Sequence, residues 1–337
     1  MTKLLKLFFL LFLPCMFYAC KSDDIVANNG GTTNSAEMYS YTNQPVTYDN
    51  NVYRVVTIDR NSYYAVSFDK FYKVTNNVPA LFTPNADVFH PNTAFIYDDN
   101  YIVFAGTRIS DGKKQLMIFD NGAYTIADLP VAYGASLSNL VFYGRAKFFC
   151  TFYDSLKYVK YDSGTFSAYT VPGQFIRKIG KSGSSIYLIV RNPSFERTIY
   201  KINESGYTAI RTEPEDLSVE TLNSDILQFG NSPTVVSYFS ETGWNSMFTL
   251  ENSYYDYPST IKGETRNNFI GIREGGNDSL LAYVWNGTNY IKQTNVPPDV
   301  NFQNMFFYST SEYRDNTFYI LATNNDDSKK VFKVTLR

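Results

Sequence analysis

Few residues in this 337-residue sequence can do covalent or acid–base chemistry. There is one histidine, His90, and there are three cysteines, Cys15, Cys20 and Cys150. Cys20 has the most specific setting. It follows Ala19 at the end of an apolar stretch, 7–18, that begins behind Lys3 and Lys6. A thiol placed there can take a diacylglycerol on its sulfur. Cleavage between Ala19 and Cys20 then frees an amine that can take a further acyl chain. One chain binds a membrane only marginally, whereas two or three hold stably. Cys15 lies between Pro14 and Met16 and has no such context. Cys150 sits inside the apolar run 147–153, KFFCTFY, and reads as a buried small hydrophobe.

The apolar stretch is shorter than the roughly 20 residues a membrane-spanning helix needs. With its basic start it has the shape of a secretory signal peptide. Its end, Phe17-Tyr18-Ala19-Cys20, resembles a lipobox, with Phe17 where that pattern prefers Leu. The next four residues, Lys21, Ser22, Asp23 and Asp24, resemble the acidic export signal of surface lipoproteins of the Bacteroidota phylum. That resemblance implies residues 1–19 as a lipoprotein signal peptide and attachment to membrane lipid through Cys20. It places the protein at the outer membrane, on the cell-surface face. Residues 25–36, IVANNGGTTNSA, carry too little apolar area to fold, so 20–36 reads as a lipidated cysteine followed by a flexible tether.

The remaining candidates are weaker. His90, in Phe89-His90-Pro91-Asn92, could act as a base, but Pro91 and Asn92 suggest a turn between units. The acidic runs Asp98-Asp99-Asn100, Glu213-Pro214-Glu215-Asp216 and 324–327 hold oxygen ligands suited to calcium. None has the spacing of a calcium loop, and turn residues or solvated edges explain them. Trp244, Trp285 and the tyrosines of 253–257 could stack on sugar rings, or fill a core. No Gly-rich phosphate loop and no Gly-x-Ser-x-Gly elbow is present. No catalytic residue, metal ligand or cofactor is assigned.

The composition is globular: 44% hydrophobic, 18% charged. Thirty Lys and Arg against 32 Asp and Glu give a net charge of -2, which argues against a nucleic-acid partner. The 29 Tyr and 27 Phe favour β-structure. With one cysteine after the leader and its anchor, residues 37–337 must fold without an internal disulfide.

From residue 37 onward, apolar runs are short and are broken by Asn, Asp, Gly and Ser. A strand–turn–strand unit recurs at 71–82, 116–130, 156–172, 198–214, 247–259 and 281–297, and a half-unit, 331–337, ends the chain. Asn121-Gly122 and Asn286-Gly287 are strong hairpin signals; Ser163-Gly164 and Ser205-Gly206 are weaker ones. The turns recur at a period of about 40–50 residues, as in a β-propeller with four strands per blade. The expectation is an all-β fold, a β-propeller over 37–337 with seven blades, six or eight remaining open. A pair of β-sandwiches or an irregular solenoid is the competing reading. Residues 37–42 could supply the strand missing from the last half-unit and close the ring. The resemblance is to the divergent form of the propeller class. No Trp-Asp or double-Gly repeat signature is present, and Asp162-Ser163-Gly164-Thr165-Phe166 fails the sialidase Asp-box spacing by one place.

A lipid-anchored propeller suits a non-catalytic binding or scaffold module whose partner is an envelope protein or a glycan. The alternatives are a propeller-type glycan-active hydrolase or lyase, and a structural component of the envelope.

Overall fold

The computed structural model describes residues 39–336, apart from 49–50, 68–69, 83–88, 130–136, 154, 204, 215–217, 231–233, 251–257, 259, 275–279, 289, 294–305 and 324–327. The expected signal peptide, Cys20, the export signal and the tether lie outside the described residues. Every regular element described is a β-strand, and no described helix is long and apolar enough to cross a membrane.

The strands form seven four-stranded antiparallel sheets. Six are consecutive in sequence: blade 1 (52–81), blade 2 (89–127), blade 3 (137–170), blade 4 (175–214), blade 5 (218–250) and blade 6 (260–293). Blade 7 combines the last three strands, Phe306–Thr310, Thr317–Thr323 and Lys329–Leu336, with the first, Tyr39–Tyr48, as its outermost member. Tyr39 pairs with Leu336 and Tyr48 with Lys329. The ring is therefore closed by the N-terminal segment, as its sequence suggested, and the chain is a β-propeller. Closure leaves only short edges to protect. In each of the seven sheets the strand nearest the axis meets the corresponding strand of a neighbouring blade, and it is called the inner strand below.

The hairpin signals work through backbone conformation. Asn121 and Gly122 adopt φ of 48° and 89°, and Asn76 and Asn77 adopt 48° and 65°. Paired left-handed residues give a turn whose twist matches that of the strands. One expected unit is displaced. The hairpin of blade 5 turns at Glu241-Thr242, joining Thr234–Ser240 to Gly243–Leu250. The turn expected at Ser253 lies outside the described residues. Gly243, the first residue after the turn, has φ 121°.

The core is distributed over the junctions between blades, with one buried cluster at each of the seven. The second strand of blade 4, Ser185–Arg191, shows how the sequence achieves this. Ile186, Leu188 and Val190 pack toward blade 3, whereas Tyr187 and Ile189 pack toward blade 5. Alternate side chains leave opposite faces of a strand. A strand buried on both faces therefore reads as one unbroken apolar run. Cys150 is fully buried in the junction of blades 2 and 3, and burial pushes its thiol pKa well above the usual range. It is a packing residue without nucleophilic character at neutral pH.

Candidate binding face

Antiparallel connectivity gives the ring two unlike ends. The turns from first to second and from third to fourth strand all fall on one end. Most are two-residue turns, such as 60–61, 99–100, 145–146, 183–184 and 121–122. The links from second to third strand, and from each blade to the next, fall on the other. Described examples are longer, such as 109–113 and 192–195. Binding residues concentrate on loops held by a rigid scaffold, so the long-loop end is the candidate face.

The tight-turn end is closed at its centre. The blade 7 loop 311–316 bonds to two blades that are not its neighbours. Asn223 Nδ2 of blade 5 donates to the Tyr313 carbonyl at 2.9 Å. Arg314 Nη1 donates to the carbonyls of Ile96 and Tyr97 in blade 2 at 3.1 and 3.2 Å. A loop that reaches both must cross the axis. Tyr313 is buried beneath it, and burial raises its pKa to about 12, with Glu264 adding to the effect. A ligand on the axis would therefore have to approach from the long-loop end.

The acidic candidates are structural where they are described. Asp98 accepts from the Asn100 backbone at 2.8 Å within its own turn and pairs with Arg145 of blade 3 at 2.8 Å. Asp99 lies 3.8 Å from Arg314. Glu213 is sequestered between blades 4 and 5. Its Oε1 accepts from Arg197 Nε at 2.7 Å and from Trp244 Nε1 at 2.8 Å, and its Oε2 pairs with Arg211 at 2.8 Å. Glu215, Asp216 and 324–327 lie outside the described residues. Among the described residues no group of three or more His, Cys, Asp or Glu could hold a metal ion.

One expectation needs correction. His90 is not in a turn between units; it lies in the blade 2 inner strand Phe89–Asp98, opposite Thr107. Pro91, read as a turn former, is tolerated because the inner strand has a ladder on one side only, and a bulge follows at Pro91–Thr93. Gly106 makes room for this strand, since a Cβ there would lie 2.2 Å from the His90 carbonyl oxygen. Of the two readings of the tryptophans, the structure takes the core one. Trp244 packs edge-on against Phe239 at 5.0 Å, and Trp285 stacks on Phe248 at 4.3 Å, both at blade junctions. The tyrosines of 253–257 lie outside the described residues.

The long-loop end carries a feature absent from the sequence reading. The second-to-third-strand loops of blades 2, 3 and 4 each expose one large apolar side chain: Ile109 at 53%, Tyr153 at 55% and Phe195 at 71%. Phe195 also has φ 59°, in the left-handed region. That conformation costs a non-glycine residue about 1–2 kcal/mol. The loop holds it there through its own bonds. Asn192 N donates to Glu196 O at 2.7 Å, Phe195 N to Asn192 O at 3.2 Å, and Ser194 Oγ to Glu196 Oε2 at 2.8 Å. Beside it runs a stack of alternating rings and guanidinium groups. Arg191 lies 4.7 Å over Phe195 and 5.7 Å over Phe175, and Arg177 lies 4.7 Å over Phe175. The pairing that builds the stack is the direct cross-strand partnership of Phe175 with Arg191. Lys178 and Glu220, 2.6 Å apart, tie the inner strands of blades 4 and 5 beside it.

Between blades 2 and 3 on the same end is a small crevice of about 10 Å3, room for roughly one water molecule, lined in part by Asn92, Lys114, Gln115 and Phe152. It falls below the roughly 300–1,000 Å3 of typical small-molecule sites. Gln115 Nε2 donates to Asp128 at its edge.

No protein-family profile matches the chain, and no curated protein is similar to it. Solved structures share its fold. A streptogramin B lyase aligns with TM-score 0.59 at 13% identity, covering 90% of this chain and all of that one. The protein YCF48, bound to a D1 peptide, aligns with TM-score 0.56 at 13% identity over 89% and 97%. The Cps50 (Swd1) propeller of Myceliophteria thermophila aligns with TM-score 0.55 at 8% identity over 85% and 98%. At these identities the likeness is one of fold, and folds host unrelated functions. The class that fold and comparisons define is the β-propeller.

Proposed function

We propose that this chain is a lipid-anchored envelope protein, held through Cys20, whose propeller is a non-catalytic binding module that uses its long-loop end. The observation carrying the binding assignment is Phe195. It is an aromatic ring exposed on a loop held in a strained conformation by its own hydrogen bonds. Exposed aromatic anchors on rigid supports are what interfaces use. One of the proteins of the same fold is described bound to a peptide, which is consistent with such a role. The anchor rests on Ala19-Cys20 at the end of the leader, and the surface-facing location rests on Lys21, Ser22, Asp23 and Asp24.

The test is made on the full chain in its native membrane. Metabolic labelling with an alkyne fatty acid should tag the wild type and leave Cys20→Ser untagged. Protease added to intact cells should digest the surface-exposed protein. Affinity capture from gently solubilised membranes should then recover a stoichiometric envelope partner. Failure to label contradicts the anchor, protection from protease contradicts the surface location, and recovery of nothing above background contradicts the stable complex.

A further inference from the structure

We infer that the axial channel, entered from the long-loop end, is a binding site for a small polyanion, a molecule bearing carboxylate or phosphate groups, held by Arg54, Lys181 and Lys262. This deepens the binding-module reading and rests on it.

Three observations point to that chemistry. The first is where the cations stand. Propeller blades surround a central channel. Arg54, Lys181 and Lys262 belong to the inner strands Val52–Asp59, Phe175–Ser182 and Thr260–Thr265 of blades 1, 4 and 6, so they come from three sides of the axis. An inner strand is covered on both faces by neighbouring blades and on its outer edge by the second strand. A side chain on it that keeps some exposure turns to the channel, and all three are only partly buried. Two are placed there by what they meet. Lys262 Nζ lies 3.9 Å from Glu312, in the loop 311–316 that crosses the axis. Lys181 feels the charge of Glu264, two blades away in blade 6.

The second is that these charges lack close partners. Among the described residues Arg54 has no hydrogen bond, ion pair or ring contact, and Lys181 has no hydrogen bond or ion pair. Burial lowers the Lys181 pKa, with Glu264 pulling the other way. Lys262, its side chain 17% exposed, has Glu312 at 3.9 Å, beyond hydrogen-bond reach. The other carboxylates here are engaged: Glu220 pairs with Lys178 at 2.6 Å, and Glu264 accepts from Asn223 Nδ2 at 2.6 Å. Arg177, stacked on Phe175, is not counted. A partly buried cation with no close counter-charge carries a desolvation cost, and an anion that meets it offsets that cost. The third is the shape of the approach. The loop 311–316 closes the far end, so the channel takes a small molecule and not a threaded chain. Charges spread around one axis match several anionic groups on one such molecule, each able to form charge-assisted hydrogen bonds.

The experiment uses the full-length lipidated protein in nanodiscs of zwitterionic lipid, titrated calorimetrically at constant ionic strength with citrate, inorganic phosphate and glycerol. Citrate or phosphate should bind saturably at a single site, and glycerol should not. Preference for citrate assigns a carboxylate ligand, and preference for phosphate a phosphorylated one. Arg54→Gln, Lys181→Gln and Lys262→Gln should each weaken that binding about tenfold, the loss of one charge-assisted contact. Without ligand the three variants should unfold at or above the wild-type temperature, because a poorly compensated charge is gone. They should also lose most of the rise in midpoint that the anion gives the wild type. Lys73→Gln, exposed on the third strand of blade 1, removes the same charge away from the axis and should change nothing. The inference is overturned if neither anion binds saturably, if the three variants bind like wild type, or if Lys73→Gln weakens binding as much as they do. Lowered midpoints with an unchanged anion response would assign the cations a structural role and overturn it too. A partner recovered from native membranes when no anion binds would overturn this site and leave the binding-module reading standing. Anion binding with no partner recovered would leave this site standing and overturn the stable complex.

Discussion

The hydroxyls of Tyr48 and Tyr63 lie 3.0 Å apart across the seam where the ring closes. Tyr48 belongs to the N-terminal strand that completes blade 7, and Tyr63 to blade 1. Tyr319 packs tilted against Tyr63, ring centroids 4.5 Å apart, and its hydroxyl donates to the Arg60 carbonyl at 3.1 Å. Three tyrosines thus join the two ends of the chain's fold.

Burial raises the Tyr48 pKa to about 12 and holds those of Tyr63 and Tyr319 higher still. A folded pKa above the unfolded value of about 10 means that the neutral phenol is favoured in the fold. Its stabilising contribution is complete below pH 10 and is lost as pH rises through the folded value. Urea unfolding followed from pH 8 to 12 should show stability falling above about pH 10. Tyr63→Phe, which keeps the ring, should flatten part of that fall.

Arg197 is among the largest fully buried side chains, and its charge is met by Glu213, itself nearly buried. Removing one member of such a pair leaves an uncompensated charge at a cost of about 3–5 kcal/mol. Glu213→Ala should therefore destabilise by about that amount in urea titration, and Glu213→Gln by less, because an amide oxygen can still accept. Little change in Glu213→Ala would mean that the junction of blades 4 and 5 rearranges freely.

Gly106 faces the His90 carbonyl so closely that any Cβ must displace the inner strand. Gly106→Ala should cost about 1–3 kcal/mol, the range for forced overpacking, as a lowered midpoint of thermal unfolding. His90→Asn, with the same strand and a side chain of similar reach, should cost much less.

The propeller was legible because its signals are local. Asn121-Gly122 and Ser163-Gly164 specify hairpins by backbone conformation alone, and the double-sided runs such as 185–191 mark strands between two blades. The strand that closes the ring could be foreseen from the incomplete last unit. What misled were residues with two local meanings. Pro91 signals a turn in isolation, yet it sits in an inner strand whose unpaired edge needs no N–H. Asn252-Ser253 has turn-forming residues, yet the hairpin turns at Glu241-Thr242, just before Gly243. The arginine–phenylalanine stack was not legible at all, because Phe175 and Arg191 meet only through the register of two paired strands. The run Arg191-Asn-Pro-Ser-Phe195, an arginine and an aromatic flanking a Pro loop, was the available signal.

The central claim is that the long-loop end is the binding surface. Photo-crosslinking in living cells tests it most directly, with p-benzoylphenylalanine placed at Phe195 on that end or at Asn121 on the tight-turn end. The account predicts an adduct of one defined mass from position 195 and none from position 121. An adduct from position 121 alone, or from neither position, would contradict it.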